Sequence, residues 1–173
     1  MIQRDPRNNS AWNQRWFVCH AGGSIQLLSL EIAKKEGDYA VQGASLDPYN
    51  ESPWRYLIGI LKEQCQALKD DATRASLLDR FESKASQQRE NIEAAGKNPD
   101  GCFNLTSALI DILELKGDTE SLEKAVQLAS ALAKEHDPIR KKYWLLRVEE
   151  MKQYSQVGKS LDFSPVPRVA RVI

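Results

Sequence analysis

Two histidines, three cysteines and no excess of either charge leave this sequence poor in the groups that usually announce a chemistry. His20 and His136 stand alone, without Cys, His or carboxylate at metal-ligand helical spacing on an apolar support, which excludes a recognisable zinc motif. Cys19, Cys65 and Cys102 are odd in number and widely spaced, so no disulfide framework is encoded and reduced, mostly buried thiols are expected. Lys plus Arg and Asp plus Glu are 24 each. With no net charge, no sequence-wide field attracts nucleic acid, an anionic membrane surface or an acidic partner. The longest uncharged run, residues 16–30, is broken by Gly22 and Gly23 and is too short to cross a bilayer. The first residues lack the basic, apolar and small-residue segments of a secretory leader, so a cytoplasmic location is expected. No segment alternates with period two, which removes support for strands.

Short motifs fail on inspection. Gly158-Lys159-Ser160 ends like a phosphate loop, but Gln153 occupies the place of its first Gly and no strand precedes it. Gly43-Ala44-Ser45-Leu46-Asp47 begins like a nucleophile elbow, yet Asp replaces the closing Gly. Glycosylation sequons begin at Asn8, Asn50 and Asn104, where the polar residues are better explained as helix caps.

What is present is a repeat. Apolar residues make up 42% of the chain, enough for a packed core. Asp5-Pro6, Asp47-Pro48, Asn98-Pro99 and Asp137-Pro138 are each followed, seven residues after the Asp or Asn, by a large apolar residue: Trp12, Trp54, Leu105 and Trp144. The starts near 5, 47, 98 and 137 are solenoid-length intervals apart. Because Pro fixes φ and lacks a donor, helices begin after each of these points rather than run through them.

The spacing predicts a first helix in every block: Trp54, Leu57, Ile58, Leu61 and Cys65 share one stripe, and Leu105, Ala108, Leu109 and Ile112 another. Asn9 or Ser10, and Asn50, are the expected N-caps, with Pro53 in a first turn where its missing donor costs little. Second helices are expected over 27–46, despite Gly37 and Gly43, over a polar stretch through Leu77, Leu78, Phe81, Ala85 and Ile92 that ends near Gly96, and after Asp118 or Thr119. The last block has room for one helix. The expected fold is all-α, a solenoid of antiparallel helix pairs over 1–157, followed by an extended or disordered tail over 158–173. Trp12, Trp54, Leu105 and Trp144 fill the gaps between pairs, while Arg15 and Arg147, each three residues after a Trp, are expected to make ion pairs with the next repeat.

The stretch Asp-Pro-Arg-Asn-Asn-Ser-Ala-Trp-Asn-Gln-Arg-Trp-Phe from Asp5 resembles the protein prenyltransferase alpha-subunit repeat. Asp-Pro-Tyr-Asn-Glu-Ser-Pro-Trp-Arg-Tyr-Leu from Asp47, and Ala-Lys-Glu-His-Asp-Pro-Ile-Arg-Lys-Lys-Tyr-Trp ending at Trp144, resemble the alpha subunits shared by protein farnesyltransferase and type I geranylgeranyltransferase. The likeness covers roughly residues 1–154, although the third repeat has Leu105 in place of Trp. It implies a scaffold for a separate catalytic beta subunit in an enzyme that moves farnesyl or geranylgeranyl from its diphosphate to a Cys near the carboxy terminus of CaaX-type proteins. It also implies zinc on that beta subunit, magnesium as a further metal of the complex, and no cofactor on this chain. The Lys, Tyr and Gln that approach the diphosphate and peptide in such enzymes do not carry over, because Arg7, Asn9 and Ser10 stand in the corresponding places. Family practice places the beta-subunit interface at the helix starts, here Asn8, Asn9, Arg15, Asn50 and Glu51. The resemblance is to the carboxy-terminal half of an alpha subunit, as a fragment, a truncated gene model or a short isoform, with residues 1–4 as the last turn of a preceding helix. The first helix, bearing Trp12, Trp16, Phe17 and Cys19, is then expected to lack a cover and to fray through about residue 23. A non-enzymatic helical-repeat adaptor and a Rab-type geranylgeranyltransferase alpha subunit are the alternatives.

Overall fold

The computed structural model describes residues 2, 5, 7–21 and 27–157. The expected tail over 158–173, and most of the expected helical turn at 1–4, lie outside the described residues. The described residues form seven α-helices and no strand: α1 (Asn9–His20), α2 (Leu30–Leu46), α3 (Glu51–Ala67), α4 (Asp71–Ala94), α5 (Phe103–Lys116), α6 (Thr119–Ala131) and α7 (Lys141–Val157). The architecture is an all-α repeat solenoid. The first helices α1, α3 and α5 lie side by side, α2 and α4 pack behind them, and α6 sits against both α5 and α7.

The spacing of seven from Asp to Trp has a physical cause in two blocks. Trp54 Nε1 donates to the Pro48 carbonyl at 3.2 Å, and Trp144 Nε1 donates to Asp137 Oδ2 at 2.8 Å. Each indole is thereby buried with its one donor satisfied by its own Asp-Pro turn, which locks the entry of the helix to the core. Trp12, Trp54, Leu105 and Trp144 are all buried, as the repeat requires. Leu105 has no donor, and there the Cys102 thiol donates to the Pro48 carbonyl at 3.0 Å, tying the third block to the second.

Caps set the helix starts, with two departures from expectation. The α1 cap is Asn8, one residue before the expected Asn9 or Ser10, since its extended backbone lets Oδ1 accept from the Ala11 amide at 3.1 Å. Asn104 is no cap: it lies inside the first turn of α5 and donates to the Tyr49 carbonyl at 2.7 Å, again linking adjacent repeats. Asn50, Asp70 and Asp118 cap α3, α4 and α6. After α4 the chain turns through Gly96 at φ +73°, a left-handed conformation that a residue without Cβ adopts at little cost.

The two glycines that weaken α2 as an isolated helix are what let it pack. A Cβ on Gly37 would sit 2.3 Å from Phe81 Cζ, and one on Gly43 would sit 2.9 Å from the Trp12 ring. Close approach of α2 to these aromatics outweighs the loss of helix propensity.

Candidate functional site

The helix starts of the first two blocks come together on one side of the fold. Asn8 and Asn50 are committed to their helices as caps, Asn50 Oδ1 accepting from the Ser52 amide at 3.1 Å. Asn9 and Glu51 remain at the surface: Ser52 Oγ donates to Asn9 Oδ1 at 3.3 Å, and Arg55 Nε donates to Glu51 Oε1 at 2.8 Å. The structure thus brings Asn8, Asn9, Asn50 and Glu51 to neighbouring ends of α1 and α3.

Arg15 faces elsewhere. Its Nε and Nη2 donate in a fork to the two oxygens of Glu36 at 2.6 and 2.7 Å, and its guanidinium lies 3.7 Å from the Tyr39 ring centre. The Tyr56 hydroxyl donates to the same carboxylate at 2.7 Å, and the Cys19 thiol lies 3.8 Å from that hydroxyl. Burial would push the Glu36 carboxyl up, but the hydrogen bonds from Arg15 and Tyr56 and the Arg15 charge hold it below its ordinary value. Glu36 belongs to α2 of the same block, which corrects the expectation that Arg15 pairs with the next repeat. Arg147 is corrected in the same way: it reaches back to the preceding repeat, with Nη2 at 2.9 Å from Asp111 Oδ1 and 2.6 Å from Glu114 Oε2.

Between α1 and α3 runs an open groove of about 250 Å³. Trp12, Trp16 and Tyr56 line its floor with Gly59, where a Cβ would come 2.9 Å from the Trp16 ring. Asn9, Asn13 and Arg55 stand at its rim. Asn13 was missed by sequence reasoning, although its position one helical turn after Asn9 on the same face is a legible signal. The tryptophans expected to be uncovered are turned inward: Trp12 is 2% exposed and Trp16 is partly buried. The exposed apolar surface of α1 belongs to Phe17 and Val18.

Among the described residues no three His, Cys, Asp or Glu side chains are grouped so as to hold a metal ion. His20 is half-buried, its Nδ1 bonded to the Trp16 carbonyl and its Nε2 to Glu63 Oε2, both at 2.7 Å. Burial pushes the thiols up, Cys65 to about 11, with Cys19 and Cys102 also raised. A thiolate nucleophile at neutral pH is therefore not favoured at any of the three. No helix among the described residues is long and apolar enough to cross a membrane.

Known proteins give this arrangement a context. A family model described as protein prenyltransferase alpha subunit repeat matches residues 1–21. The protein farnesyltransferase/geranylgeranyltransferase type-1 subunit alpha of Dictyostelium discoideum is 31% identical over 144 residues, covering 83% of this chain and 40% of its own length. Its counterpart in Solanum lycopersicum is 36% identical over 140 residues, covering 76% of this chain and 38% of its own. The geranylgeranyl transferase type-2 subunit alpha of Saccharomyces cerevisiae matches more weakly, at 27% over 163 residues. The chain spans about two fifths of the length of the first two relatives.

Proposed function

Because the chain belongs to the protein prenyltransferase alpha-subunit repeat family, we propose that it serves as the alpha part of a heterodimeric enzyme that transfers farnesyl or geranylgeranyl from its diphosphate to a Cys near the carboxy terminus of CaaX-type proteins. Its contribution is scaffolding. The catalytic beta subunit carries zinc, with magnesium as a further metal of the complex, and the assembly works in the cytoplasm. The observation that carries this reading is the Asp-Pro turn with a buried Trp seven residues on, tied by its indole to that turn, in a chain similar along most of its length to type-1 alpha subunits. Burial that pushes the Cys19, Cys65 and Cys102 thiols up is in keeping with a non-catalytic role.

The side meeting the beta subunit comprises Asn8, Asn9, Asn50 and Glu51, with Arg15 behind it in its pair with Glu36. Asn9 and Glu51 present side chains directly. Asn8, Asn50 and Arg15 act by fixing the helix starts and the α1–α2 pair that hold them.

Affinity purification of the chain from its native cells tests the reading. Recovery of a zinc-containing prenyltransferase beta subunit is expected. An unrelated set of partners would instead support the helical-repeat adaptor, and a Rab-type beta subunit the type-2 reading. Zinc-dependent prenyl transfer by the purified chain free of any beta subunit would overturn the non-catalytic role.

A further inference from the structure

His20 closes α1, and its ring stands between two acceptors. Nδ1 lies 2.7 Å from the Trp16 carbonyl oxygen, and Nε2 lies 2.7 Å from Glu63 Oε2 on α3. A carbonyl or an ionised carboxylate can only accept, whereas a neutral imidazole has one N–H and one lone pair. Both bonds therefore exist together only when the site holds one proton more than a neutral ring beside a carboxylate. That proton belongs on the ring. Glu63 Oε1 accepts from the Leu28 amide at 3.0 Å, which favours the carboxylate, and a carboxylic acid ordinarily gives up its proton about two pH units before an imidazolium does. The ring also stacks on Trp16, with centroids 4.2 Å apart and planes 23° from parallel, which suits a cation over an indole face.

Glu63 extends this contact along the chain. Leu28, just ahead of α2, has its amide held by Glu63 and its carbonyl held by Gln64 Nε2 at 2.8 Å. One carboxylate thus ties the end of α1 and the approach to α2 to the same turn of α3. The buried residues of α1, Ala11 and Trp12, lie in its first half, and Phe17 and Val18 face solvent, so the attachment of the last turn passes largely through Trp16 and His20. Neighbouring titratable groups are spent on one another: Arg15 of α1 and Tyr56 of α3 bond Glu36 of α2, and the Cys19 thiol lies against the Tyr56 hydroxyl. Lys62, beside Glu63 in the chain, is itself engaged.

We propose that His20 and Glu63 form a pH-sensitive latch, in which the doubly protonated ring fastens the last turn of α1 and the entry to α2 onto α3, and loss of one ring proton opens it. A neutral ring leaves either the Trp16 carbonyl or the Glu63 carboxylate without its donor, so one of the two bonds is lost. Because the closed form needs the proton, the latch is complete on the acid side of the ordinary histidine range, about pH 6.5, and its contribution disappears as pH rises through that range. The device belongs to this chain alone and does not depend on a partner subunit.

Nitrogen-15 spectra of the histidine-labelled full chain test the proton directly. At about pH 6 both ring nitrogens of His20 are expected to carry bonded protons. A ring with one protonated nitrogen at that pH, in a chain whose α1 amides are protected, overturns the latch. Hydrogen exchange tests the consequence. Corrected for the intrinsic rate, protection of the Leu28 amide and of residues 17–20 is expected to fall about tenfold between about pH 6 and pH 8, as the loss of a charge-assisted bond implies. No fall in the parent chain overturns the proposal. In Glu63→Gln a side-chain amide accepts from the Leu28 N–H and donates to the bare Nε2 of a neutral ring, so both contacts survive without the extra proton. Protection in that variant is expected to stay level across the same range, and a fall as steep as the parent's overturns the proposal. His20→Phe keeps a ring on Trp16 without the nitrogens and is expected to show the low protection at both pH values, whereas protection equal to the parent's at about pH 6 contradicts the latch.

Discussion

Arg147 is the residue on which the end of the solenoid depends most. It is 4% exposed, it holds the 2%-exposed Asp111 carboxylate and Glu114 together, and Nη1 also donates to the Tyr143 hydroxyl at 3.2 Å. Burial alone would lower the pKa of the guanidinium, but the two facing carboxylates raise it. Replacing Arg147 with Met removes one partner of a buried ion pair, a change that costs about 3–5 kcal/mol. Urea unfolding is expected to show that loss, and Asp111→Asn in the Arg147→Met background is expected to recover part of it. Glu36 gives a pH signature. Its folded carboxyl lies below the ordinary 4.5, so the stability it contributes is fully present above that value and is lost as pH falls through the depressed one. In Glu36→Gln that part of the acid limb should vanish, so urea midpoints between pH 3 and 7 should fall less steeply than in the parent chain. That Arg15 and Arg147 sit in structural ion pairs could be read from their place one turn after a Trp. Their partners could not, because Glu36 and Asp111 become neighbours only through packing and no sequence spacing encodes them.

At the scale of the element, α2 shows how a helix can look poor alone and be right in place. Gly37 and Gly43 lower its propensity by about 1 kcal/mol each relative to Ala, yet they are the contact points for Phe81 and Trp12. Gly37→Ala should therefore destabilise the chain, by about 1–3 kcal/mol as overpacked cores do, although in an isolated helix it would help. Phe81→Leu in that background is expected to relieve the clash, giving a favourable coupling in a double-mutant cycle of thermal or urea unfolding. The caps are simpler: Asn50→Ala removes the acceptor for the Ser52 amide and is expected to cost about 1 kcal/mol. Helix existence was legible from apolar stripes and Asp-Pro or Asn-Pro turns. The start of α1 was not, because Asn8, Asn9 and Ser10 are all good caps and only the backbone conformation at Asn8 decides among them.

At the scale of the molecule, the polar helix-start side of α1 and α3 lies apart from the inner layer of buried tryptophans. Asn9, Glu51 and Arg55 can change without touching the core, whereas Trp12, Trp54 and Trp144 cannot. The repeat and its family were visible in the sequence because the Asp-Pro turn and the Trp seven residues later are one structural device written in adjacent residues. The groove was not visible, since its walls come from α1 and α3, about 40 residues apart, and its floor depends on the absence of a side chain at Gly59. The account stands most directly on the heterodimer. Sedimentation velocity of the purified chain mixed at micromolar concentration with the prenyltransferase beta subunit of its own organism should give a single species with the mass of a one-to-one complex. Two independent boundaries, each with the mass of its free component, would contradict it.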